Sequence, residues 1–208
     1  MKSGKGDLQW RVEAYVQAGK TKGAGDADDI SHFAYMAGVR AGYKISPILR
    51  PTLWVDFLSG DDDHADSDTK AFDTLFATNH KFYGYFDRFL NVPVHTGGGG
   101  LIDIALKNKG KVGPGMLEVA IHDFMLAADD NRVDENGKAD GRSGQVAIEL
   151  DLIYAVKLVK GAKLVAGFSA YMPQGDFKET VVDDDGDEKS VVDWTFLMLD
   201  VNLEAAGG

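Results

Sequence analysis

"DLQWRVEAYVQAGK", residues 7–20, places an apolar side chain at every second position. Leu8, Trp10, Val12, Ala14, Val16 and Ala18 fall on one side, and Gln9, Arg11, Glu13, Tyr15 and Gln17 on the other. Successive side chains of a strand point to opposite faces, so the stretch is a strand with two unlike faces.

The same period returns along the chain. Phe33, Tyr35, Ala37, Val39, Ala41 and Tyr43 oppose Met36, Arg40 and Lys44, and Leu49, Leu53, Val55 and Phe57 oppose Arg50, Thr52, Trp54 and Asp56. Ile102, Ile104 and Leu106 oppose Asp103 and Lys107, and Leu117, Val119 and Ile121 oppose Glu118 and His122. Ile148, Leu150, Leu152, Tyr154 and Val156 oppose Glu149, Asp151 and Lys157, Leu164, Ala166 and Phe168 oppose Lys163 and Ser169, and Leu197, Leu199 and Val201 oppose Met198 and Asp200. The pattern predicts eight strands in one domain, 1–208, at about 7–19, 32–45, 48–59, 101–108, 116–127, 145–159, 163–173 and 192–204. No segment carries an amphipathic helical period of ten or more residues.

The connections alternate in length. Long ones fall at about 20–31, 59–100, 128–144 and 173–191, and short ones at 46–47, 108–115 and 160–162, where Gly and Pro suit tight turns. Eight antiparallel strands with one apolar face fit two architectures. A soluble barrel or sandwich turns that face inward, and a membrane barrel turns it to lipid. Alternating loop lengths and rings near the strand ends favour the second. Trp10, Tyr43 and Tyr154 would form one girdle, and Phe33, Tyr35, Phe57, Trp194 and Phe196 the other. The expected fold is therefore all-β, an eight-stranded antiparallel up-and-down transmembrane β-barrel with long extracellular loops and short periplasmic turns.

Composition narrows the function classes. The 208 residues include no cysteine, which excludes disulfides and thiol chemistry, and the formal net charge of −11 disfavours nucleic acid. No stretch is long and apolar enough for a membrane helix. The start carries no export signal, and the final "NLEAAGG" lacks the terminal aromatic usual in such barrels, so an excised or engineered piece, or a chain whose ends were replaced, is expected.

The densest aromatic stretch is "TLFATNHKFYGYFDRF", residues 74–89, with Phe76, Phe82, Tyr83, Tyr85, Phe86 and Phe89. An acidic run precedes it, and the glycines at 97–100 follow it. Together with Ser59, Gly60 and Asp61, the positions Phe72, Leu75, Phe76, Thr78, His80, Tyr83, Gly84, Tyr85 and Asp87 resemble the signature of the alginate-export family of bacterial outer-membrane β-barrels. "GLIDIALK", "LEVAIHDFMLA" and "IELDLIYAVKLVKGAKLVAGFSAYMPQGD" resemble successive strands of that family's C-terminal half, so the likeness runs from about residue 31 onward. It implies a porin or exporter in the outer membrane of a Gram-negative bacterium. Members of the family form larger barrels, and the basic lumen of the alginate exporter is not evident here, where the polar face mixes signs.

On this reading Arg11, Glu13, Arg40, Lys44, Arg50, Asp56, Glu149, Asp151 and Lys157 line the lumen. They either tune an aqueous channel or pair as a buried ionic core in a ring just wide enough for side chains. Asn79, His80, Lys81, Tyr83, Tyr85 and Arg88 belong to a loop at the barrel mouth. Its rings pack on one another or on a solute, and the glycines let the chain swing back. Asp183, Asp185 and Asp187 are a weak calcium candidate without a closing Glu at loop spacing. No cofactor is implied. His122 and Ser169 stand on different strands with nothing in the sequence to join them, so no enzyme is expected. The expected partners are a lipid bilayer or detergent and a small polar or anionic solute. The chain acts alone or as a homodimer completing a larger barrel. A charge-plugged eight-stranded barrel without transport remains the alternative, and a soluble ligand-binding barrel the third reading.

Overall fold

The structure is a computed structural model that describes residues 2–3, 6–22, 29–63, 68–75, 77, 79–80, 82–129, 144–182 and 185–202. Eight long strands carry it: β2 (Leu8–Thr21), β3 (Ile30–Tyr43), β4 (Pro51–Leu58), β6 (Leu101–Val112), β7 (Gly115–Met125), β8 (Gln145–Val159), β9 (Ala162–Pro173) and β10 (Val192–Val201). Two short strands, β1 (Lys2–Ser3) and β5 (Asp68–Thr69), pair with β2 and β3. One helical turn, α1 (Val92–His95), and a 3₁₀ turn at Gly175–Thr180 complete the elements. The long strands lie where the period-2 alternation puts them.

Each long strand pairs antiparallel with the next long strand in the chain, giving the order β1-β2-β3-β4-β6-β7-β8-β9-β10. At one end of the sheet the turns are tight. Gly113 and Gly161 take φ of 56° and 81° there, which glycine adopts without a Cβ clash.

Contrary to the expectation of a closed ring, the sheet is open. Among the described residues no ladder joins β10 to β2. The physical reason lies on the inner face, where the connection 59–100 folds back over the sheet. An eight-stranded ring has room only for its own side chains, so it cannot also hold this inner loop.

The two faces are inverted relative to a water-soluble sheet. The outward positions are apolar and exposed: Val16, Phe33, Val39, Leu53, Leu106, Ile121, Leu152, Leu197 and Leu199 all face away from the loop. The inward positions bury Asp56, Asp103, His122, Glu149, Asp151 and Ser169 at 0% exposure, while Leu197 on the other face is 71% exposed. Near the long-connection end the inner face turns apolar. There Leu58, Leu101, Phe124, Ala147 and Tyr171 pack with Phe72, Tyr83, Phe89 and Val92 of the inner loop and with Phe177. The Phe89 ring lies 4.6 Å from that of Phe124, and Phe86 stacks on Tyr171 at 5.0 Å.

The register also corrects two ring assignments. Trp194 pairs with Ser169 and Phe196 with Gly167, both inward positions, so neither ring belongs to an outer girdle. Phe196 stacks at 6.4 Å on Tyr85 of the inner loop.

The glycines at 97–100 are not a swinging hinge. Gly97, Gly98 and Gly100 have positive φ, and Gly98 and Gly99 carbonyls accept from Asp61, Ala127 and Ala128 amides at 2.9–3.0 Å. A Cβ on Gly60 would overlap the Gly99 backbone. Gly60→Ala is therefore expected to unseat the inner loop and speed limited proteolysis within 59–100. Gly19→Ala, whose Cβ meets open space, should leave the digestion pattern unchanged.

Candidate functional site

A row of ionisable side chains crosses the inner face, about one from each neighbouring strand. Alternation sends every second residue inward, and the ladder register then sets these side chains beside one another. On β2, Glu13 takes ion pairs from Arg11 and from Arg40 of β3. Arg40 reaches on to Asp56 of β4 at 3.0 Å, and Trp54 Nε1 donates to the same carboxylate at 2.9 Å. The Trp54 ring receives two cations, with Arg40 at 4.0 Å and Lys107 of β6 at 4.3 Å from its centre. Asp56 faces Asp103 across the β4–β6 ladder.

The row continues through β7, β8 and β9. His122 Nδ1 lies 2.9 Å from Asp103, and its Nε2 lies 3.8 Å from Asp151. Ser169 donates to Asp151 at 2.6 Å. Asp151 thus joins His122 and Ser169, which the sequence left apart. The hydroxyl hydrogen bonds to the carboxylate and not to the imidazole, so the three do not form a nucleophile–base pair.

Over this belt lies the inner loop, and main-chain groups fasten it. The Phe86 amide donates to Glu149 Oε1 at 2.9 Å, and the Tyr85 amide lies 3.3 Å from Asp151 Oδ2. Gly84, at φ 82°, lets the backbone come this close, because a Cβ there would overlap the Glu149 carboxylate. The loop is also braced within itself. Asn79 Nδ2 donates to Thr74 Oγ1 at 2.9 Å and to the Leu90 carbonyl at 3.1 Å. His80 pairs with Asp87 at 2.6 Å and sets its ring edge-on to Tyr85. Gln17 of β2 clamps Asp73 from both sides, donating to its carbonyl at 2.6 Å and accepting from its amide at 2.9 Å. Burial and the nearby Asp56 and Asp103 carboxylates push the Tyr83 phenol well above its ordinary range, and burial does the same to Tyr85. Both hydroxyls stay neutral.

Between the inner loop and the β2–β3 side lies a cavity of about 560 Å³, lined by Tyr15, Gln17, Arg40, Phe72, Asn79 and Tyr83 among others.

Of the residues the sequence proposes as lumen-lining, Arg11, Glu13, Arg40, Asp56, Glu149 and Asp151 come together in this belt. Lys44, Arg50 and Lys157 do not. They stand exposed at the short-turn end. The residues placed at a mouth lie on the inner face instead. Asn79 and Tyr83 are buried, and His80, Tyr85 and Arg88 are half-buried. Lys81 and Asp183 fall outside the described residues. Asp185 and Asp187 are exposed, and among the described residues no cluster of His, Asp or Glu is set to hold a metal. Trp54, Asp103 and Lys107 belong to the belt although the sequence does not single them out, and His122 and Ser169, which the sequence weighs only as an unjoined catalytic pair, belong to it as well. Their inward phase was visible, but their neighbours required the register.

No family model matches the chain, and no curated protein matches it.

Removing one member of a buried ion pair strands the other. Arg40→Met is expected to cost roughly 3–5 kcal/mol in denaturant unfolding, because Asp56 loses its ion pair and Glu13 is left with the more exposed Arg11. The double variant that also carries Asp56→Asn should recover part of that loss. Glu149→Ala leaves the Phe86 amide without its acceptor and should cost about 1–3 kcal/mol, whereas Glu149→Gln keeps an oxygen there and should cost less.

Proposed function

We propose that this chain forms wall and inner constriction of an outer-membrane β-barrel channel that passes small polar solutes, as its resemblance to the alginate-export family implies. One observation carries the reading. Eight consecutive strands expose an apolar face and bury an ionisable one. In water that arrangement would leave an apolar surface far beyond what soluble monomers tolerate. In a bilayer it is the expected arrangement, apolar toward lipid and polar toward the lumen. The long strands run from 8 to 15 residues, and about 9–11 tilted residues span the hydrocarbon core. No helix among the described residues is long and apolar enough to cross a membrane, so strands are the spanning elements in this reading.

The inner loop then acts as a constriction fixed to one side of the lumen. The groups beneath and beside it carry both signs, Glu13, Asp56, Asp103 and Asp151 against Arg11, Arg40 and Lys107. The second reading, a plugged barrel without transport, is supported by the burial of Tyr83, Gly84 and Phe89 against the sheet.

Detergent-refolded protein inserted into a planar lipid bilayer tests the proposal. Discrete, uniform current steps are expected, and their reversal potential in a salt gradient gives the ion preference. A variant whose residues 71–90 are replaced by a short Gly-Ser linker should give larger steps. If folded, inserted protein stays silent in both forms, the channel reading fails.

A further inference from the structure

The sheet ends at β2, which β1 covers over a short stretch, and at β10. Among the described residues, β1 lies on the side of β2 away from β3, with Lys2 and Ser3 opposite Arg11 and Trp10, and no strand pairs there with residues 13–21. Among the described residues no strand lies on the side of β10 away from β9. In hydrocarbon each unpaired backbone group costs several kcal/mol, so spanning sheets close on themselves. The inner loop prevents closure by these eight strands alone, since their ring could not contain it. We infer that a second copy of this chain supplies the missing wall, its β2 pairing with β10 of the first and its β10 with β2 of the first. The inference rests on the membrane-wall reading.

Strand direction favours this occupant. The eight long strands alternate in direction, so β2 and β10 run opposite ways. Two copies inserted in the same sense therefore meet antiparallel at both seams, related by a two-fold axis along the barrel. The ring would hold about sixteen long strands, within the range of porins. The seam uses the part of β2 beyond the stretch that β1 covers, residues 13–21, which is close in length to the 10 residues of β10. The faces match as well. Outward Leu197 and Leu199 would continue the apolar surface of Val12 and Val16, and inward Trp194 and Phe196 would lie on the same side as Tyr15 and Gln17. The cavity beside β2 would then be walled by the partner's β10, so the site is complete only in the pair.

Because the chain has no cysteine, introduced thiols report cleanly. Tyr15→Cys or Gln17→Cys is combined in one chain with Trp194→Cys, Phe196→Cys or Met198→Cys, refolded in detergent and oxidised. At least one combination should run at twice the chain mass on a non-reducing gel and return to single mass on reduction. Light scattering of the cysteine-free protein in detergent should give two chains per particle. An internal link that leaves the mass at one chain overturns the inference. So does the absence of any link from folded protein of one-chain mass. A protein that is folded and monodisperse without detergent instead removes the membrane reading itself.

Discussion

Two carboxylates at neighbouring inward positions of β8, Glu149 and Asp151, cannot be left bare. Both are fully buried on a face where water is displaced by the protein's own chain. Burial of such groups is tolerable only with donors close by. Ser169 serves Asp151 from β9, and His122 approaches it from β7. The remaining donors come from the main chain of the inner loop, through Tyr85 and Phe86. The position of the loop follows from this requirement. So does the glycine at 84, because any larger residue would hold the backbone away from Glu149. The openness of the sheet follows in turn, since a ring tight enough to exclude the loop would lose those donors.

A second constraint works along the row. Glu13, Arg40, Asp56 and Trp54 form one hydrogen-bonded group, and Asp103, His122, Asp151 and Ser169 form another. Lys107 touches the Trp54 ring from the second group's side. Each long strand from β2 to β9 contributes a member with a partner on a neighbouring strand. The interactions are thus lateral, running with the backbone ladder. They reinforce strand pairing at the depth where hydrophobic packing on the inner face is thinnest.

Much of the fold was legible in the sequence. Alternation in "DLQWRVEAYVQAGK" and "IELDLIYAVKLV" gave strand positions and named the inward phase of Arg11, Glu13, Glu149 and Asp151. What alternation cannot give is register, which decides whether two inward residues are neighbours or far apart. His122 and Ser169 therefore looked unrelated, although one carboxylate joins them. Trp194 and Phe196 were misjudged for a related reason. In β10 the rings share the phase of Met198 and Asp200, and ring type suggested an interface while phase sent them inward. The glycines at 97–100 show a third limit. Composition says that such a run is permissive, but its use as a hydrogen-bonded corner against Gly60 and Ala127 depends on segments distant in sequence.

The lateral belt also bears on how the gene for such a chain can change length. Inserting or deleting one codon within a strand would reverse the phase of every residue beyond it up to the next turn. In β6 that would turn Asp103 and Lys107 outward and Ile104 and Leu106 inward, breaking the belt on both flanks at once. A two-codon change would keep the phase but move the belt residue one step out of its row. Length variation is therefore confined to the connections, and among these the inner loop is excluded by its fit to Glu149.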